Sequence, residues 1–331
     1  MRRPCFIIFI YVIAPMVFIT GLCIHARACT IWASAGDAAG GGGTIIAKNR
    51  DNVSSLYTGL KMVFPSGGFR FFGILDVRAD WYVAAAINEK GLVVVNASAN
   101  SVPARKRHTA TEDVTERILT AFDSVDALLD QKGFFEKTHP AIYIIADAKK
   151  IMSVEVAPGG RVSACVKENG TLAFTNHFTD ERIIDANERM SRQSLLRLKG
   201  INRLLDGPGR PHSLEGFISM SRDENGGSDG AVMRKAKKGS KIRTLATWIV
   251  RLEPGKSPEL YAGLFNSDEK QRTYRVRLDD GFWNLVPRDN RQERSGAEGQ
   301  RNTPIKDVLR SPGLRNNLLR APDYDSRVKN P

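Results

Sequence analysis

Short runs of apolar residues, several of them alternating with polar ones, recur along the chain, and this pattern predicts β-strands. We predict strands over residues 44–48, 69–75, 81–87, 92–96, 141–146, 152–156, 162–166, 171–176, 244–252 and 260–264. The segment Asn88-Glu89-Lys90-Gly91 separates two of these runs and has the composition of a hairpin turn. The chain is therefore rich in strands that are close in sequence, which favours antiparallel pairing.

Other segments place apolar residues at the spacing of an amphipathic helix. We predict a helix over residues 111–123 with Thr111 as its N-cap, and a short helix that Ser124 caps and that runs through Leu129. Further helices are predicted over residues 181–205 and 213–220, and a glycine-rich loop over residues 225–230. Groups of strands interrupted by groups of helices indicate a mixed α+β domain with antiparallel sheets.

The two ends of the chain differ from its middle. Arg2 and Arg3 precede an apolar stretch at residues 6–22, and Ala26-Arg27-Ala28 fits a cleavage site, so this end is typical of a secretory signal peptide. An uncleaved membrane anchor is the alternative, but the apolar stretch is at the short end of the roughly 17–25 residues that span a bilayer. We predict a signal peptide at residues 1–28, an α+β domain at 29–287 and a basic, disordered tail at 288–331 with a short helix around 305–309.

Charge and composition narrow the classes of function. The net charge of +13 is spread along the chain, and no dense block of Lys and Arg with interleaved aromatics stands out. We therefore expect no nucleic-acid partner. The 5 histidines and 4 cysteines show no metal-ligand spacing, so we expect neither a metal nor another cofactor. Cys165 lies in an alternating run and is interpreted as a small buried side chain.

Cys29 is the main candidate for chemistry, because cleavage after Ala28 makes it the first residue. Its thiol and its α-amine then belong to one residue. An α-amine with a pKa of about 7.7–8 can accept the thiol proton near neutral pH, so no histidine partner is required. A lipid-modified cysteine is the alternative, although Ala26 stands where such sites usually have an aliphatic residue three places earlier.

Several short motifs follow Cys29 in a characteristic order. They are Cys29-Thr30, Lys48-Asn49-Arg50-Asp51, Asn88-Glu89-Lys90-Gly91-Leu92, Thr175-Asn176-His177-Phe178 and Ser191-Arg192. In this order the sequence resembles the choloylglycine hydrolase, penicillin V acylase and acid ceramidase superfamily, and its acyl-coenzyme A:6-aminopenicillanate acyltransferase branch. The matches run in order from residue 29 to about residue 264, which is most of the chain that follows the signal peptide.

The resemblance implies roles for individual residues. Cys29 is expected to be the nucleophile, with its own amine as the base. Asp51 is expected to orient that amine, and Asn176 to donate its side-chain amide to the oxyanion of the tetrahedral intermediate. Removal of one such donor typically lowers the rate about a hundredfold or more.

The resemblance implies three further roles. Arg192 is expected to favour the thiolate form of the nucleophile, and Lys48 to act as a cation near the thiol where the family often has arginine; Arg50 is the alternative. A second oxyanion donor is expected at Ser98 or Asn96. These two residues lie on the same face of a strand, so the spacing does not separate them.

The resemblance also implies a fold and a reaction. The fold is expected to be a four-layer αββα sandwich of two antiparallel sheets, the N-terminal-nucleophile (Ntn) hydrolase fold. The expected activity is cleavage of linear, non-peptide amides such as bile-acid conjugates, penicillin V or N-acyl amino acids. An acyltransferase that passes the acyl group to an amine is one alternative, and a non-catalytic exported binding protein is another.

The expected partner is a small-molecule amide, and membrane contact is expected only through the signal peptide during export. Related enzymes are often oligomeric, so a homo-oligomer is compatible with the resemblance. A two-arginine signal without an acid fits export through a bacterial inner membrane, to the periplasm or the medium.

Overall fold

Two antiparallel sheets form the interior of the protein. The computed structural model describes residues 28–76, 82–107, 114–131, 133–235, 242–267 and 269–284, and the backbone of residues 302–304. The strands are β1 (Thr30–Ala35), β2 (Thr44–Val53), β3 (Thr58–Val63), β4 (Phe71–Asp76), β5 (Val83–Asn88), β6 (Val93–Ser98), β7 (Ala141–Ala146), β8 (Ile151–Ala157), β9 (Arg161–Lys167), β10 (Gly170–Phe174), β11 (Ile242–Leu252), β12 (Glu259–Leu264), β13 (Arg272–Arg277) and β14 (Asn302–Pro304). One sheet has six strands in the order β10-β1-β2-β11-β12-β13, and the other has eight in the order β14-β3-β4-β5-β6-β7-β8-β9.

The helices of the described residues are α1 (Ala104–Arg107), α2 (Val114–Ala121), α3 (Val125–Leu129), α4 (Arg192–Leu205), α5 (Leu214–Ser221), α6 (Gly227–Gly230) and α7 (Asp280–Asn284). Helices α2 to α5 cover the outer faces of the two sheets, whereas Phe282 and Trp283 of α7 pack between the sheets. Ile118 and Leu128, from α2 and α3, pack on the eight-stranded sheet, and α4 and α5 pack on the six-stranded one. Within the described residues, no helix is both long enough and apolar enough to cross a membrane.

A third apolar cluster fills the space between the two sheets. It contains Ile31 and Trp248 from the six-stranded sheet and Phe72 and Ile144 from the eight-stranded sheet. Together with the two helix-covered clusters, it gives the order helix, sheet, sheet, helix. The predicted four-layer αββα sandwich is therefore confirmed.

Strand β2 lies in the middle of the six-stranded sheet and is buried on both faces. Ile46 packs between the sheets, whereas Ile45 and Ala47 face the helices. The alternation continues into the polar half of the strand, so Lys48 falls on the inter-sheet face and Asp51 on the helix face. The buried polar half of β2 contributes residues to the candidate site.

The structure agrees with most of the predicted elements and corrects others. The hairpin at 88–91 is confirmed: the Asn88 side chain accepts hydrogen bonds from the N–H groups of Lys90 and Leu92, and Gly91 has a φ of +90°. The Ser124 cap is also confirmed. Strands β1, β3, β13 and β14 were not predicted.

The predicted helix over residues 181–205 is too long. Its first part contains only a short 3-10 turn at Ile184–Ala186, and α4 begins at Arg192 after a Ser191 cap. The predicted glycine-rich loop contains the one-turn helix α6. Cys165 is exposed on the outer strand β9 rather than buried, because β9 is an edge strand of its sheet.

Some predictions fall outside the described residues. They concern the signal peptide up to residue 27, the Thr111 cap and the helix around 305–309. Part of the predicted tail is described, and there residues 302–304 pair antiparallel with β3 at the edge of the eight-stranded sheet.

Candidate active site

Cys29 lies directly before β1 and is buried, with 4% of its surface exposed. It packs in the cluster between the sheets, on the same face of the six-stranded sheet as Ile31. The preceding residue continues the pairing with β2, because the N–H of Ala28 donates to the backbone oxygen of Asp51 at 3.2 Å. The Ala28–Cys29 bond therefore lies beside Asp51.

Asp51 is a fully buried carboxylate on β2. Its Oδ1 accepts a hydrogen bond from Thr244 Oγ1 at 2.7 Å, while Oδ2 is buried and has no hydrogen-bond partner among the described residues. Burial raises the pKa of Asp51 from 3.8 to about 6, and the positive charges of Arg197 and Arg234 oppose this rise. The site thus holds a carboxylate with one oxygen atom available for a further donor.

Asn176 follows β10 and is held from three sides. Its side-chain Nδ2 donates to the backbone oxygen of Ser98 at 2.9 Å, and its Oδ1 accepts from Arg197 Nη2 at 2.8 Å. Its backbone N–H donates to Ser194 Oγ at 3.0 Å. These contacts fix both the position of the amide and which of its ends is the donor.

Arg197 connects Cys29 with Asn176. The side chain enters from α4, is 1% exposed, and donates through Nη1 to the backbone oxygen of Cys29 at 2.7 Å and to Thr30 Oγ1 at 2.9 Å. Burial lowers the pKa of Arg197, and the charges of Asp51 and Cys29 oppose this shift. A cation therefore sits beside the candidate nucleophile.

Sequence reasoning assigned this cation to Arg192, and the structure gives a different arrangement. Arg192 is the first residue of α4, is exposed, and lies outside the cluster around Cys29. A signal for Arg197 existed in the sequence, since it lies three residues after Ser194 and four before Ile201, on the buried face of the helix.

Lys48 crosses from the six-stranded sheet to the eight-stranded one. Its Nζ donates to the backbone oxygen of Ala84 at 2.8 Å and to the backbone oxygen and Oδ1 of Asn96 at 2.6 and 2.9 Å. The alternative cation, Arg50, forms a buried ion pair with Asp76 at 2.7 Å. Lys48 thus shares the inter-sheet face with Cys29, whereas the charge of Arg50 is balanced by its own carboxylate.

The two candidates for a second oxyanion donor have different surroundings. Asn96 donates its amide N–H groups to the backbone oxygen of Val83 at 2.9 Å and to Thr115 Oγ1 at 3.0 Å, so none is left for an oxyanion. Ser98 lies next to Asn176 and accepts its amide through the backbone oxygen. The structure separates two residues that strand spacing alone could not.

A network around Ser194, which sequence reasoning did not identify, supports the segment that carries Asn176. Ser194 Oγ lies 2.8 Å from both Thr175 Oγ1 and His177 Nδ1, in addition to its bond with the Asn176 N–H. Burial, and then the charge of Arg197, lowers the pKa of His177, which favours the neutral imidazole. His177 therefore acts as a hydrogen-bonding residue of this network.

Arg234 and Thr244 form a second supporting group that the sequence analysis missed. The N–H of Arg234 donates to Thr244 Oγ1 at 2.9 Å, and Thr244 in turn donates to Asp51. Arg234 Nη2 donates to Gln193 Oε1 at 3.0 Å. In the described ranges, no group of three or more His, Cys, Asp or Glu residues could hold a metal ion.

Comparisons with solved structures find distant similarities. Two variants of conjugated bile acid hydrolase from Clostridium perfringens are 13% and 12% identical, with TM-scores of 0.48 and 0.43; each alignment covers 74% of this chain and 92% and 91% of theirs. Penicillin V acylase from Agrobacterium tumefaciens is 12% identical with a TM-score of 0.47, over 75% of this chain and 86% of its own. No curated protein sequence matches this chain significantly.

The match that decides the family comes from sequence. The family model described as acyl-coenzyme A:6-aminopenicillanic acid acyl-transferase matches residues 38–262, which is more than half of the 331 residues. The predicted resemblance is thereby confirmed. The chain belongs to the acyl-coenzyme A:6-aminopenicillanic acid acyl-transferase family.

Proposed function

We propose that this protein is an exported cysteine amidohydrolase of the Ntn type, which cleaves linear, non-peptide amides once residues 1–28 have been removed. The observation that carries the proposal is the cluster around Cys29. A buried cysteine lies beside a buried arginine that also holds an asparagine amide. A carboxylate lies along the preceding peptide, and one of its oxygens has no hydrogen-bond partner among the described residues.

Removal of residues 1–28 frees the α-amine of Cys29, which then serves as the base. The α-amine of Cys29 then takes the place of a peptide nitrogen next to Asp51, and its positive form gives Asp51 Oδ2 both a donor and a counter-charge. An opposite charge nearby lowers the pKa of a carboxyl group, so processing reverses the rise that burial causes. Asp51 is then ionised and holds the amine in place.

The reaction needs two steps. The amine in its neutral form removes the thiol proton and becomes the ammonium that pairs with Asp51. The Cys29 sulfur then attacks the carbonyl carbon of the amide, where the negative charge on oxygen is stabilised by Asn176. The carbon–nitrogen bond breaks, the leaving amine receives the proton from the α-ammonium, and a thioester remains. Water then adds to the thioester and releases the acid and the thiol.

Arg197 contributes to both steps without reacting. Its bond to Asn176 Oδ1 orients the amide so that Nδ2 is the donor end, and its bond to the backbone oxygen of Cys29 fixes the position of the nucleophile. Lys48 adds a second positive charge on the inter-sheet face. These contacts also argue against a non-catalytic binding protein, because such a protein would not need a buried cation at this point.

An acyltransferase is the second candidate, and the description of the family itself favours it. The same thioester would then be intercepted by an amine instead of water. A nucleophilic amine added to the assay separates the two, since a transferase produces more new amide than free acid. The similar solved structures are of a conjugated bile acid hydrolase and a penicillin V acylase, so conjugated bile acids and penicillin V are the first compounds to screen.

The compartment and partners are part of the same proposal. The signal-like residues 1–28 would direct the chain to the periplasm or the medium, with membrane contact only during export. We expect a small amide as substrate, no nucleic acid, and no metal or other cofactor, because thiol, amine and amide donors suffice for the chemistry.

Mass spectrometry of the exported protein tests the proposal. Cys165 is exposed and will react with iodoacetamide in any state, so the experiment uses a Cys165→Ser background. We expect a mass that begins at Cys29 and one rapid alkylation, which Cys29→Ser abolishes together with amide cleavage. A chain that begins elsewhere, or a lipidated or unreactive Cys29, would contradict the mechanism.

A further inference from the structure

A groove of about 510 Å³ lies beside the candidate active site, between residues 100–103 and residues 189–192. Its wall is bonded directly to the segment that carries the oxyanion donor. The N–H of Ser101 donates to the backbone oxygen of Asn176 at 3.1 Å, and the N–H of Arg189 donates to the backbone oxygen of Ser101 at 3.0 Å. The groove therefore borders the segment that carries Asn176.

The groove is positively charged. Arg189 and Arg192 line it, both are exposed, and neither has a carboxylate partner among the residues that the structure describes. Among the described residues, no acidic side chain lines the groove. The nearest carboxylate in sequence, Glu188, is engaged by Lys106 at 2.5 Å, so it does not neutralise either arginine.

The start of α4 adds to this charge. Ser191 lines the groove and caps the helix by accepting from the N–H of Ser194 at 3.1 Å. The helix is 14 residues long, and the N–H groups of a first helical turn carry partial positive charge and lack intrahelical acceptors. Anions are commonly bound at such positions.

Ser101 provides an independent observation. The residue is 2% exposed, and its hydroxyl oxygen has no hydrogen-bond partner in the described part of the chain. A buried hydroxyl without a partner is unfavourable, because it has lost its hydrogen bonds to water and forms none with the protein. A ligand with acceptor oxygens in the groove would satisfy it.

We propose that this groove binds an oxyanionic group, a carboxylate or sulfonate, that the substrate carries in addition to its scissile amide. Arg192 and Arg189 supply the charge and Ser101 a hydrogen bond. This inference rests on the proposed function and narrows it to anionic amides. Arg192 is then a specificity-determining residue and has no part in activating the thiol.

The anion can belong to the leaving amine or to the acyl group, and two substrate pairs distinguish these sources. One pair is an N-acyl glycine and its neutral glycinamide. The other is the N-methyl amide of a dicarboxylic acid and its methyl ester. We expect the mature protein to prefer the charged member of one pair in kcat/KM, and Arg192→Gln to reduce that preference about tenfold. Added salt should weaken the preference as well, since the groove is open to solvent.

Two variants control the experiment. Arg203→Gln removes the same charge from an exposed position of the same helix and should leave the preference unchanged. Ser101→Ala should reduce the preference with no loss of folding stability, because the hydroxyl has no hydrogen-bond partner among the residues that the structure describes.

The outcomes separate the two proposals. If the wild type cleaves charged and neutral members of both pairs equally well, or if Arg192→Gln behaves like Arg203→Gln, the groove proposal is wrong while the amidohydrolase stands. If no amide is cleaved at all, calorimetric titration with N-acyl glycine decides. Tighter binding to the wild type than to Arg192→Gln would still support an anion site, and equal binding would overturn it.

Discussion

Arg192 and Arg197 lie five residues apart on one helix and have opposite surroundings. Arg197 is buried and donates hydrogen bonds to Cys29, Thr30 and Asn176, whereas Arg192 is exposed beside an open groove. A buried guanidinium has lost its hydration, so its protein partners are obligatory. An exposed one is hydrated and screened, so it can bind and release a ligand at little cost.

In this comparison, the buried residues hold the site together, whereas the exposed residues of the groove select the substrate. Substitutions in the buried cluster should alter both folding and chemistry, because each group there satisfies another. Substitutions in the groove should change which amide is cleaved and leave the fold intact.

The largest effect is expected for Arg197→Met. The substitution leaves the backbone oxygen of Cys29, Thr30 Oγ1 and Asn176 Oδ1 without their donor. We expect the free energy of unfolding to fall by about 3 kcal/mol and kcat/KM by about a hundredfold or more. Urea denaturation and steady-state kinetics measure the two effects.

Arg197→Lys keeps the positive charge but loses the planar guanidinium group. Its losses in the free energy of unfolding and in kcat/KM should therefore be smaller than those of Arg197→Met. The matched substitution Arg192→Gln should change the free energy of unfolding by less than about 0.5 kcal/mol. Equal stability losses for Arg192→Gln and Arg197→Met would remove the basis of the comparison.

The second prediction concerns Asp51 in a form that retains Ala28. Since its folded pKa is raised from 3.8 to about 6, its contribution to stability is present below pH 3.8 and is lost as the pH rises through about 6. Asp51→Asn removes this dependence. Relative to the wild type, the variant should therefore gain about 3 kcal/mol between pH 3 and pH 8.

Denaturation curves at several pH values measure this gain. In the form that begins at Cys29 the ammonium group lowers the pKa of Asp51, so the same substitution should give a smaller gain. Identical pH dependences in the two forms would mean that the amine does not contact Asp51.

The smallest effect is expected for Ser194→Ala. Its hydroxyl contacts Thr175, His177 and the Asn176 N–H, and its loss should cost about 1–2 kcal/mol of stability and a severalfold decrease in kcat. Ser219→Ala, at an exposed position of α5, is the control and should be neutral. A neutral Ser194→Ala would show that Arg197 and the backbone oxygen of Ser98 suffice to position Asn176.

Much of the fold could be predicted because most strands are compact apolar runs and the hairpin at residues 88–91 has clear turn chemistry. Strand β13 was not predicted, because an edge strand needs few apolar residues and this one contains three arginines. The helix before α4 was overextended, because residues 181–191 lack apolar spacing but also lack a strong breaker.

The candidate site was predictable where the chemistry is carried by local motifs. Cys29, Asp51 and Asn176 each belong to a short motif, and the structure brings them into one cluster. Arg197 has no motif of its own, since its role depends on which face of α4 is buried. The choice between Asn96 and Ser98 likewise depended on partners in distant strands, which no local pattern encodes.

The central claim is that the α-amine of Cys29 is the base, and activity as a function of the first residue tests it most directly. Two forms should be compared, one that begins at Cys29 and one that retains Ala28, with the fold of each checked by circular dichroism. The account predicts that the Cys29 form cleaves an amide at least about a thousandfold faster, the contribution of a positioned general base. Equal activity of the two forms would contradict it.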